Sequence, residues 1–124
     1  MRSTILLVQD DRDLSTRVAE ALYVVEKDVI QCSTVQEAVT ALESSPEIEL
    51  VLTDVEMPGL LNGYELAQII RVFKPKLPII MTSTGPDSRP GKLPSSSTLL
   101  QKPWSVDDLL RLVADRLGQS STHA

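Results

Sequence analysis

Aromatic residues are scarce in this chain. One tryptophan, one phenylalanine and two tyrosines make up 3% of it, so its core must be aliphatic. Cysteine occurs once, as Cys32. It cannot close an internal disulfide, and a cytoplasmic protein is the simplest reading. Basic residues are outnumbered, 12 Lys and Arg against 17 Asp and Glu, for a net charge of -5. No basic stripe meets phosphates, so no nucleic-acid partner is expected. No apolar run approaches the roughly 20 residues that cross a bilayer, so no membrane partner is expected either. Met1-Arg2-Ser3-Thr4 leads straight into a strand-like run and leaves no room for a signal peptide. The only histidine, His123, lies in a polar tail and is expected to be inert.

Hydrophobic residues make up 42% of the 124. That fits one domain with a real core, over residues 1–124. Apolar runs bounded by turn residues predict strands at Ile5–Val8, Val29–Cys32, Leu50–Thr53, Pro78–Thr82 and Thr98–Gln101. Helical spacing predicts helices between them. The first spans Asp13–Val25; the second is capped by Ser33 or Thr34 and runs through Leu42. A third opens at Asn62-Gly63 and stops before Pro75; the last is capped by Ser105 and ended by Gly118. Thr84–Ser97, with three prolines and two glycines, breaks the pattern. Proline blocks helix interiors, so the fourth helix is expected to be short or irregular; a flexible loop is the alternative. Strands alternating with helices imply an α/β fold, a doubly wound parallel sheet. In the flavodoxin-like order 2-1-3-4-5, strands 1 and 3 lie side by side at the switch point, where ligands bind.

Three strand ends carry charge. Asp10-Asp11 closes the first apolar run, Asp54 the third, and Lys102 the last, before Pro103. Two carboxylates and an ammonium at the carboxyl edge of one sheet suggest a site for a divalent cation and a phosphoryl group.

These residues resemble the response-regulator receiver domain of two-component signalling. The matching pieces are Leu7-Val8-Gln9-Asp10-Asp11, Thr53-Asp54-Val55-Glu56-Met57-Pro58 with Asn62-Gly63, Pro78-Ile79-Ile80-Met81-Thr82-Ser83, and Lys102-Pro103. They follow the family order and cover nearly the whole chain. The resemblance implies a small stand-alone receiver with no output domain, monomeric or weakly dimeric. It would take a phosphoryl group from a histidine kinase or a histidine phosphotransfer protein and pass the signal to a downstream protein the sequence does not name.

The resemblance also assigns roles. Asp54 matches the phosphoacceptor. A carboxylate repels incoming phosphoryl oxygens, and Mg²⁺, which prefers oxygen ligands, would remove that repulsion. Asp10 matches the metal-binding acid, and the backbone carbonyl of Glu56 is the expected third protein ligand. Gln9 departs from the pattern, because the family usually has an acid there. Its carbonyl oxygen can accept from a metal-bound water, but one negative charge is missing and metal affinity should fall. Lys102 matches the lysine that pairs with the phosphoryl group. Ser83 matches the switch hydroxyl; Thr82 and Thr84 flank it, leaving an offset of one open. Leu99 stands where many relatives carry a switch aromatic.

Two other functions compete. A degenerate receiver would bind partners without phosphorylation, as Gln9 and the odd fourth crossover suggest. Asp54-Val55-Glu56 also loosely matches the acid-x-acid motif of aspartyl-phosphate phosphatases, but the chain has no room for their cap and lacks their further acids, so an enzyme is not expected.

Overall fold

The structure is a computed structural model that describes residues 2–83, 96–101 and 103–121. The strands are β1 Ser3–Val8, β2 Lys27–Cys32, β3 Ile48–Asp54, β4 Ile79–Thr82 and β5 Ser97–Leu100. The helices are α1 Arg12–Val24, α2 Val35–Ser44, α3 Gly63–Phe73 and α4 Val106–Ser121. All strand pairs are parallel, in the order β2-β1-β3-β4-β5. This is the doubly wound sheet that the alternating pattern predicts.

Strand side chains alternate between faces, and the two faces have separate cores. Leu6, Val8, Val51, Val55, Ile79 and Met81 pack with α2 and α3 through Val35, Ala38, Leu66, Ala67 and Ile70. Ile5, Leu7, Leu50, Leu52 and Ile80 pack with α1 and α4 through Val18, Leu22, Leu109 and Val113. The β1–β3 register steps from Ile48 to Leu50. Glu49 is the extra residue of a bulge, and it is exposed. The bulge resets the alternation, which is why Ile48 joins the α2–α3 layer.

Each helix starts on a side-chain cap. Asp11 Oδ1 accepts from Leu14 N at 3.1 Å, and Thr34 Oγ1 from Glu37 N at 3.1 Å. Asn62 and Glu65 form a reciprocal capping box, with bonds of 3.0 and 2.7 Å. Ser105 and Asp108 do the same at 3.0 and 2.9 Å.

Several expected boundaries move. β2 starts at Lys27 because Glu26, at φ 67°, turns the chain immediately after α1. Pro78 precedes β4 instead of opening it, although its carbonyl accepts from Val51 N at 3.0 Å. β5 begins at Ser97, so that residue belongs to the sheet and not to the crossover. Gly118 does not end α4, which runs on to Ser121. A glycine stop needs the left-handed conformation, and Gly118 does not adopt it. The rest of the expected crossover, residues 84–95, lies outside the described residues, and with it the expected short or irregular fourth helix.

Candidate functional site

The site is assembled from strand ends. After β1, Gln9 N extends the ladder to Cys32 O at 2.9 Å. The Gln9 side chain is nearly buried and folds onto its own turn, where Oε1 accepts from Asp11 N at 3.0 Å. Asp10 is exposed, and Asp11 is committed to capping α1.

Asp54 closes β3 with only 4% of its surface exposed. The backbone beyond it is held on both sides. Val55 N donates to Thr82 O at 2.9 Å, and Val55 O accepts from Gly63 N at 2.8 Å. The start of α3 thus lies directly on the end of β3. A Cβ on Gly63 would collide with the carbonyl oxygen of Asp54 and lie 3.0 Å from Val55 Cα. Only glycine allows that approach.

Thr82 lies beside Asp54 in register. Both are buried, and Thr82 Oγ1 donates to Asp54 Oδ1 at 3.2 Å. Ser83 is fully buried, and its backbone N–H donates to Leu100 O at 3.0 Å. Its neighbour in the chain, Thr82, supplies a direct hydroxyl contact to the carboxylate. Strand alternation could have shown this: Asp54 and Thr82 share the parity of Leu52 and Ile80. Lys102 lies outside the described residues. Trp104 is half-buried and packs on the α1–α4 layer. Leu99 packs partly buried on the opposite layer.

Burial pushes the Asp54 carboxyl up to about 6, and the negative charges of Asp10 and Glu56 push the same way. The hydroxyl of Thr82 pulls against them. A cation would relieve this crowding. The donors at hand are hard oxygens, the carboxylates of Asp10 and Asp54 with backbone carbonyls, and they suit Mg²⁺ with water completing its shell. Among the described residues no group of three or more His, Cys, Asp or Glu side chains gathers that could hold a metal. With two carboxylates and a neutral Gln9, such a cation would meet little protein charge here.

A buried strand-end carboxylate crowded by acids, on a 2-1-3-4-5 sheet, agrees with a match of residues 5–114 to the family model of the response regulator receiver domain. The chain belongs to that family. The receiver is 32% identical over 123 residues to the response regulator protein FleR of Pseudomonas aeruginosa, covering 96% of this chain and 26% of that protein. It is 39% identical over 80 residues to the two-component response regulator ARR14 of Arabidopsis thaliana, covering 64% and 21%. It thus spans about a quarter or less of the length of these relatives. A solved CheY-like receiver domain from Methanospirillum hungatei matches all of this chain and all of its own, with TM-score 0.85 and 20% identity. That likeness concerns the fold alone. A receiver protein from Sinorhizobium medicae matches with TM-score 0.79 and 25% identity, covering 94% of this chain and 95% of its own. The chain is thus a receiver domain of two-component signalling. No helix among the described residues is long and apolar enough to cross a membrane.

Proposed function

We propose that this receiver accepts a phosphoryl group on Asp54 from a histidine kinase or a histidine phosphotransfer protein and thereby switches its binding to a downstream protein. One observation carries the reading. Asp54 is a buried carboxylate at the end of a central strand, raised by burial and by neighbouring acids, with Asp10 alongside. Burial of this kind, with charge partners at a sheet edge, marks a functional group more often than a structural one. Bound Mg²⁺ would supply positive charge for the phosphoryl oxygens, held by Asp10, Asp54 and the Glu56 carbonyl, with Gln9 acting through water. Lys102 pairs with the phosphoryl group. Ser83 moves toward it and carries its loop along. The protein works in the cytoplasm as a monomer or weak dimer, with no part for nucleic acid or membrane.

The test is a small acyl phosphate with Mg²⁺, read by intact mass. One added phosphoryl group on wild type and none on Asp54→Asn is the expected result. Persistent labelling of Asp54→Asn at the wild-type rate would sink the assignment.

A second reading has an observation of its own. Gln9 is neutral and its oxygen is engaged by Asp11 N–H, so the receiver could bind partners without phosphorylation. In that case no adduct forms.

A further inference from the structure

We propose that Thr82 restrains phosphorylation at Asp54 by holding one oxygen of the resting carboxylate. This rests on the reading of Asp54 as the phosphoacceptor. The contact follows from the sheet itself. Asp54 and Thr82 are register partners on adjacent parallel strands and face the same layer. The distance is 3.2 Å, and both side chains are 4% exposed. An ionised carboxylate can only accept, so the hydroxyl donates.

The contact has a directional effect on the chemistry. Thr82 engages Oδ1, and the Val55 backbone N–H also stabilises the carboxylate. Oδ2, the oxygen the hydroxyl does not hold, is the one that attacks. In the transfer, a lone pair on Oδ2 forms the new O–P bond. The bond from phosphorus to the donor's leaving atom breaks, and the leaving group keeps that electron pair: an acyl phosphate releases its carboxylate anion, and a phosphohistidine releases an imidazole that carries or takes up a proton. Oδ1 ends as the neutral carbonyl oxygen of an acyl phosphate, whose charge lies on the phosphoryl group. A hydroxyl binds a full carboxylate more tightly than a carbonyl, since hydrogen bonds to charged groups are the stronger ones. The Thr82 bond therefore weakens as reaction proceeds. An interaction stronger in the ground state than in the transition state slows the step. Thr82 is a positioning residue that favours the unphosphorylated state.

The experiment uses wild type, Thr82→Val, Thr82→Ala, Thr82→Ser and Asp54→Asn. Each meets acetyl phosphate at saturating Mg²⁺, near pH 8, where the carboxylate is ionised, and initial labelling is read by intact mass. Both hydroxyl-free variants should label roughly tenfold faster than wild type, the scale of one lost hydrogen bond to a charged group. Thr82→Ser restores the donor and should return the rate to near wild type, which a purely structural role would not predict. The valine form keeps shape and strand preference, and the alanine form guards against a packing artefact. Wild-type or slower labelling of both hydroxyl-free variants overturns the inference while leaving the phosphoacceptor assignment intact. A serine form that behaves like the valine form also overturns it. No label on wild type, or label persisting on Asp54→Asn, removes the function and the inference together.

Discussion

At the scale of single residues, burial sets the chemistry. The Asp54 carboxyl sits near 6 in the fold against an ordinary value of 3.8. Its folded state holds the proton more tightly, so its contribution to stability is full below the ordinary value and is lost as pH rises through the folded one. Above that window wild type carries a penalty of up to about 3 kcal/mol, from a shift of roughly two units. In metal-free buffer near pH 8, Asp54→Asn should therefore be the more stable protein in urea denaturation. Its advantage should shrink as pH falls from about 6 toward 4. An advantage that does not change with pH would assign the effect to packing. Cys32 shows the same control by burial. The thiol is raised to about 11, by burial and then by the Glu37 charge, so at neutral pH it carries almost no thiolate. It should react with a thiol reagent only after denaturation. Gln9→Glu keeps the acceptor for Asp11 N–H and adds a charge beside Asp10 and Asp54. It should strengthen the melting-temperature response to Mg²⁺ relative to wild type, as tighter binding to the folded state requires. Equal Mg²⁺ responses would mean that position 9 does not face the cation.

At the scale of elements, the junction of β3 with α3 sets the position of the Asp54 backbone. Gly63 lets the two touch, and the capping box of Asn62 and Glu65 fixes the first turn of the helix. Gly63→Ala would force the helix start off the Asp54 carbonyl. Overpacking of this kind costs about 1–3 kcal/mol. The variant should also label more slowly if Asp54 is the acceptor as proposed, because the displaced carbonyl is its own. Denaturation and labelling rate check the two halves separately. Unchanged stability would mean that the junction yields easily.

At the scale of the whole molecule, the sheet separates two aliphatic cores. Ile79 and Ile80 are adjacent in the chain but pack in opposite layers. Ile79→Val and Ile80→Val should each cost about 0.5–1.5 kcal/mol. Their effects should add to within about 0.5 kcal/mol, as for sites without shared partners. A larger coupling in urea titrations would show that the layers yield together. The layering was readable in the sequence because apolar runs and helical spacing report burial directly. Asp54 was readable because a carboxylate that ends such a run stands out against it. The Thr82 contact was less plain, since it depends on register and on which face each residue takes. The continuation of α4 past Gly118 was missed because a glycine signals a stop only when its backbone turns left-handed. The bulge at Glu49 left no mark, as an unpaired exposed glutamate looks like any surface residue.

The bond from Gly63 N to Val55 O ties a knot at the neck of residues 56–62. Glu56 still acts on Asp54 through its charge, and Met57 and Leu61 rest on the α2–α3 layer, so what the bond insulates from the strand beneath is the exposed tip between them. The segment is thus a tethered flag: Leu60, 92% exposed at its tip, can be exchanged or the segment lengthened while the pole stays upright. Doubling a closed loop costs only about 0.6 kcal/mol. Two residues inserted after Leu60 should leave the melting temperature nearly unchanged and Asp54 still able to take label, and a large drop in either would show that the knot slips. Evolution, or an engineer, could therefore rewrite the exposed tip without retuning the chemistry a few residues away.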